Sequence, residues 1–226
     1  MATVTYLKSA TNETYSAGAF SYIRGLKEEI TNTADILGIS AGAIAGAMAE
    51  ENTSYNSSDE ILDKYAKSAI NPTIAAATLP IAIAGGPLAI EVWLQVNKAK
   101  LEETRTQAEW IALYNKAKSF QGVPSIAAKI LNPALIDVGP ANFKISTAID
   151  LVKIYANTYP ALHLTGYLNN YSKLVADLMD PAGALTAELY GLYMKDAEYF
   201  FTHNGAYAGQ WDSLPETFRD ALLVTY

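Results

Sequence analysis

The chain has 226 residues, half of them hydrophobic, enough for one large domain with a sizeable core. It carries 16 Lys and Arg against 23 Asp and Glu, and this net charge of −7 argues against nucleic acid as a partner, whose binding depends on basic patches. Without cysteine there are no disulfides, no thiol chemistry and no thiolate metal site, and two distant histidines, His163 and His203, make a His-rich metal site improbable.

Residues 1–18 are polar, rich in Thr, Ser and Asn, and read as irregular. They lack the basic start and long apolar run of a secretory signal, so action outside the cytosol needs another export route, unless the sequence is a domain of a longer polypeptide. Phe20, Ile23, Leu26, Ile30, Ala34 and Leu37 recur at helical spacing, with Gly38 as a stop and Ser40 as the cap of the next helix.

Residues 39–55, ISAGAIAGAMAEENTSY, read as an apolar helix ending in two adjacent carboxylates, Glu50 and Glu51. A helix that is hydrophobic all round is normally buried, and Gly42 and Gly46 allow neighbours to approach closely. Acids at its end are carried to the edge of the core, near the negative end of the helix dipole. Both effects favour the protonated carboxyl group. Glu51 shares a face with Ile44, Ala47 and Met48, with Tyr55 one turn later, whereas Glu50 is rotated by about 100° and faces elsewhere. The plainer reading is that both acids are solvent-facing residues at a helix end.

Ser57 or Ser58 caps a helix over residues 59–70. Residues 73–90, TIAAATLPIAIAGGPLAI, carry no charge over about the length that spans a bilayer. Between membrane insertion and a buried helical hairpin broken at Pro80 and at Gly85-Gly86-Pro87, the hairpin is favoured, because each half is too short to span. A long amphipathic helix over 91–120 and a short helix over 124–131 follow, and Asn132-Pro133 and Gly139-Pro140 bracket a turn-rich loop. Helical spacing resumes with Phe143, Ile145, Ala148, Ile149, Val152 and Tyr155. Stretches 160–179, 181–201 and 215–226 each open on a proline suited to a first turn, and 205–211 reads as a loop. No strand alternation or fixed repeat is evident, so the fold class is all-α with about eight to ten helices and no clear domain boundary.

The order of these features resembles the lysozyme-like superfamily, in particular goose-type lysozymes and soluble lytic transglycosylases. In that family a buried helix ends in a catalytic Glu, usually followed by Ser, and a Gly-Leu-Met-Gln loop later opens another helix. Ala49-Glu50-Glu51-Asn52 matches the first element, with Glu51 at the catalytic position and Asn52 in place of Ser. Asp137-Val138-Gly139-Pro140-Ala141-Asn142-Phe143 resembles the second, with Gly139 on the glycine and Asn142 replacing Gln, but without the Leu-Met pair. The resemblance implies a single lysozyme-like catalytic domain over 1–226, with residues 73–120 as a helical insertion or lid.

The activity it implies is that of a muramidase, a peptidoglycan glycosidase cleaving the β-1,4 bond between N-acetylmuramic acid and N-acetylglucosamine. Glu51 would be general acid/base. Such cleavage requires an acid to protonate the leaving oxygen. Asp137 is the best candidate for a second carboxylate and Asp59 the next, although a helix cap or turn is the commoner role for Asp137. Family members often work with one Glu, the sugar's acetamido group assisting at C1. Gly139 and Asn142 would contact substrate, Asn142 serving equally well as the cap of the following helix. Tyr55 and Tyr155 are further substrate-binding candidates among 15 tyrosines. Tyr155, Tyr159, Tyr167, Tyr171, Tyr190, Tyr193, Tyr199 and Tyr207, with Trp211, could supply ring faces to a saccharide groove, although packing at the core edge is the commoner role for any one of them.

The chain is also similar to muramidase toxins delivered between bacteria, including type VI secretion effectors. That similarity implies delivery to the periplasm and an immunity protein as partner. No cofactor is implied, and no phosphate loop, His-Glu-x-x-His helix, calcium loop or zinc spacing occurs. An acidic wall-degrading enzyme must rely on short-range groove contacts or on a fused targeting domain. The rival reading is a non-enzymatic helical toxin or interaction domain that uses the 73–90 hairpin on membranes.

Overall fold

The computed structural model describes residues 15–119, 125–203, 207 and 209–225. The expected irregular segment 1–14, the junction at 120–124 and most of the expected 205–211 loop lie outside the described residues. The fold is all-α. In chain order the helices are α1 (Ala17–Gly25), α2 (Lys27–Leu37), α3 (Ala41–Ser54), α4 (Ser57–Lys67), α5 (Pro72–Ala84), α6 (Gly86–Val96), α7 (Lys98–Leu101), α8 (Gln107–Ala117) and α9 (Ile126–Leu131). A minimal antiparallel hairpin, β1 (Asp137–Val138) and β2 (Phe143–Lys144), precedes α10 (Ile145–Tyr155), α11 (Tyr171–Leu178), α12 (Leu185–His203) and α13 (Glu216–Thr225).

The chain divides into two compact units. The first comprises Met1–Ser54, Tyr155–His163 and Pro181–Tyr226; the second comprises Tyr55–Ile154 and Leu164–Asp180. Residues 73–120 fall wholly within the second unit.

In the first unit α3 is the central element, packed by α1, α2, α12 and α13. Ala43, Ile44, Ala45, Gly46, Met48 and Ala49 are all buried, as an apolar helix requires. Ser40 caps it, its hydroxyl accepting from the amides of Gly42 (3.1 Å) and Ala43 (3.3 Å). Gly191 lets α12 approach α2: a Cβ there would lie 2.6 Å from Thr33 and 2.7 Å from Leu37. The helix expected over 20–37 is interrupted at Leu26, which follows the helix-weakening Gly25, and ends on Gly38 in the left-handed region.

In the second unit the core is built on Tyr65, Leu79, Trp110, Tyr114, Ile130 and Ile149. The cap of α4 is Asn56, not Ser57 or Ser58: its side chain accepts from the Ser58 amide while Asp59 accepts from the Asn56 amide. Asp59, a possible second acid, therefore holds a helix end. The expected 91–120 helix is three pieces, because Thr106 and Glu109 form a capping box that starts α8 afresh. Arg105, just before it, is 3% exposed and donates to the carbonyls of Ala66 (3.3 Å) and Ile70 (3.0 Å) between the rings of Tyr65 and Trp110.

The apolar segment 73–90 forms the expected helical hairpin, α5 against α6, with Gly86 at φ 76° in the connection. Two details differ. Pro80 does not break α5, which runs through it, forgoing one amide bond. Nor is the hairpin buried. Ala75, Leu79, Ala82 and Trp93 face inward, but Ile74, Ile81, Leu88, Val92 and Val96 are 56–79% exposed. Two packed helices cannot cover apolar side chains distributed around both.

Candidate functional site

Glu51 lies on the last turn of α3 and is half-buried, while its neighbour Glu50 is exposed. Ile44 and Met48, on the same face as Glu51, are wholly buried, and Ala47 is half-buried. Thr53, the last residue but one of α3, bonds back to the Ala49 carbonyl (2.9 Å) and accepts the Ser16 amide (3.3 Å), tying the end of α3 to the start of α1.

In the second unit the loop expected around Gly139 is the tight turn of the β1–β2 hairpin. The Asn142 amide donates to the Gly139 carbonyl (2.8 Å), and Asp137 stands opposite Lys144. Gly139 has φ 74°, and a Cβ there would sit 2.1 Å from the Leu178 carbonyl oxygen, so only glycine fits. Asn142 has φ 52°, a conformation that Asn tolerates. It does not cap α10, which begins three residues later, because the hairpin takes that stretch. Asp137 opens the turn as expected, but its carboxylate is ion-paired with Lys129 at 2.5 Å.

The turn is held by a residue that sequence reasoning missed. Asp63 of α4 is 7% exposed, and both of its oxygens lie 3.2 Å from the Gly139 amide. The Tyr55 hydroxyl donates to the same carboxylate at 2.7 Å. Burial pushes the Asp63 carboxyl up to about 6, against the opposing pull of the Tyr55 and Gly139 hydrogen bonds. The Tyr55 phenol is raised too, first by burial and then by its bond to Asp63. The signal was in the chain: Asp63 stands beside Leu62 and three before Ala66, on the face of α4 that the apolar residues bury.

Tyr155 lies in the first unit and donates its hydroxyl to Asp196. It lines a cavity of about 580 Å³ with Tyr159, Tyr199 and Trp211. Of the other tyrosines considered, Tyr167 donates to Asp177 in the second unit, and Tyr171 and Tyr190 are core residues. A second carboxyl that the sequence did not flag is Glu188 of α12, pushed up to about 7 by burial, beside a cavity it shares with Glu29 and Asp35. An acid between Ala187 and Leu189, in the apolar first half of α12, was the available sign.

Among the described residues, no cluster of three or more His, Asp or Glu is placed to hold a metal ion, and no helix is long and apolar enough to cross a membrane. Comparison with protein-family models, with curated proteins and with solved structures finds no match.

Proposed function

We propose that the chain is a peptidoglycan glycosidase of lysozyme-like type, with Glu51 as the general acid. The observation that carries this reading is the unequal environment of two adjacent acids at the end of a buried helix: Glu51 half-buried, Glu50 exposed. Glycosidic cleavage needs a carboxyl group that keeps a proton for the leaving oxygen, and partial burial at the negative end of a helix favours that state. Within the second unit, the Tyr55 hydroxyl and the amide of Gly139, the glycine of the second element, both bond to one carboxylate, Asp63.

Asp137 is committed to Lys129. In this reading one protein carboxyl group suffices, and the 2-acetamido group of the substrate assists at C1 as bond cleavage builds positive charge there. Delivery to the periplasm and a neutralising immunity protein complete the reading as an antibacterial effector. The test is mass spectrometry of muropeptides after digestion of purified sacculi. The wild-type chain releases fragments, Glu51→Gln does not, and Glu50→Gln does. Full activity in Glu51→Gln refutes the assignment.

A second reading, an interaction with a membrane surface, is favoured by the five exposed aliphatic side chains of the α5–α6 hairpin. Its test is dye leakage from liposomes, abolished by Ala84→Asp. Wall degradation without leakage dismisses it.

A further inference from the structure

We propose that the aromatic cavity of the first unit is a binding site for an uncharged, N-acetylated saccharide. The choice of sugar rests on the glycosidase reading; the site rests on its own geometry. The cavity holds about 580 Å³, within the range of small-ligand pockets. Its ring faces are held by local packing. Tyr199, 60% exposed, stacks on the His203 imidazole at 4.1 Å and 20°, which fixes a flat platform. Tyr155 and Tyr159 stand 5.8 Å apart and tilted by 39°, and Trp211 is backed by Phe201 at 5.9 Å, nearly parallel. A pyranose has an apolar C–H face that lies on such rings and a rim of hydroxyl and acetamide groups that needs hydrogen bonds.

The polar groups suit that rim. Asp196 accepts the Tyr155 hydroxyl through Oδ1, and a carboxylate retains further lone pairs for sugar hydroxyls. His203 Nδ1 lies 3.0 Å from the Tyr199 carbonyl. The same nitrogen lies 2.8 Å from the Thr202 hydroxyl, so this edge of the ring is engaged, and imidazole Nε2 can exchange a hydrogen bond with a sugar hydroxyl, which both donates and accepts. Charge selects among sugars. Lys195 is paired with Glu198, so Asp196 and Asp212 leave the cavity net negative. A sugar bearing a carboxylate, as muramic acid does, is repelled, and an N-acetylglucosamine unit is not. A small ammonium ion would satisfy the charge but leave most of the volume and the second ring wall unused.

The experiment is calorimetric titration of the full chain carrying Glu51→Gln with tetra-N-acetylchitotetraose, so that turnover does not intrude. Saturable binding is expected, weakened at least tenfold by Tyr199→Ala and by Asp196→Asn, with the His203 ring resonances shifting on addition of the sugar. No binding, unchanged affinity in both variants, or unmoved His203 resonances overturns the site. Stronger binding of tetramethylammonium than of the tetrasaccharide reassigns it to a cation and equally overturns it. Sacculus digestion by the wild-type chain is a separate readout. Digestion without saccharide binding leaves the Glu51 assignment standing and removes this site; binding without digestion does the reverse.

Discussion

Asp63 and Gly139, 76 residues apart, are joined by a carboxylate whose two oxygens each lie 3.2 Å from one amide. Asp63 is held near 6 against 3.8 for the unperturbed group. Between those values the folded chain keeps the proton and the unfolded chain loses it. Stability is therefore greatest at the acid end, falls as pH rises from about 4 to about 6, and then levels, a loss of about 2–3 kcal/mol from this group. Asp63→Asn removes that component. Urea unfolding across the window, wild type against variant, measures it: the two slopes with pH should differ, and equal slopes would show that Asp63 is not the source.

Gly139→Ala meets two penalties together. The left-handed conformation costs about 1–2 kcal/mol for a residue with a Cβ, and the added atom lies 2.1 Å from the Leu178 oxygen. Backbone on both sides must shift. The expected loss exceeds about 3 kcal/mol, read as a fall in thermal midpoint or as failure to fold. Gly38→Ala is the control: φ is 65°, but nothing lies within 4 Å of the new Cβ, so only the conformational cost applies.

Arg105 is a buried cation whose partners are carbonyl oxygens and ring faces. Burial lowers its pKa, against support from Tyr65 and Glu109. Arg105→Lys cannot reach the Ala66 and Ile70 carbonyls with the same fork and stacks less well on the rings. A loss of about 2 kcal/mol or more is expected in denaturant unfolding. A change under about half a kcal/mol would mean that the guanidinium bonds contribute little net.

Much of the helical architecture could be read from the chain, because apolar periodicity, Ser40, Gly38 and the Gly85-Gly86 connection are local signals. The breaks at Leu26 and between α7 and α8 were fainter, since only Gly25 precedes the first and the capping box at Thr106 lies inside an amphipathic run. The β1–β2 hairpin has two residues per strand, too few for alternation to register. Asp63 stands neither at a helix end nor in a loop, the two places where an acid draws notice in a sequence. Its role comes from Gly139, distant along the chain, and such pairings leave no local trace. Tyr155 stood out as a substrate-binding candidate, whereas Tyr199 and Trp211 stood only among the aromatic residues of the last third of the chain; their meeting with Tyr155 at one cavity leaves no local trace.

Glu188 carries a second pH signature in the first unit. Its carboxyl is pushed up to about 7 from 4.5 by burial, with Glu29 and Asp35 beside the same cavity. The folded chain holds this proton from about 4.5 to 7, where the unfolded chain does not, so stability again falls as pH rises through that window. Glu188→Gln removes the cost of ionising a half-buried group. The variant should be more stable than the wild type at about pH 8 by about 1–3 kcal/mol and closer to it at about pH 4. A stability difference that does not change with pH would rule out Glu188 as the titrating group.

The α5–α6 hairpin separates side chains that hold the fold from those available to a partner. Leu79 is fully buried and Leu88 is 74% exposed, though both belong to the same uncharged segment. Leu79→Ala should cost about 2–5 kcal/mol, the range for an aliphatic side chain lost from a core. Leu88→Ser should change stability by less than about 0.5 kcal/mol. If the exposed face works at a membrane surface, Leu88→Ser lowers liposome association while the unfolding curve stays in place. If it does not, neither quantity moves. A large loss of stability in Leu88→Ser would mean instead that the outer face is packed against protein, and the membrane reading would lose the observation it stands on.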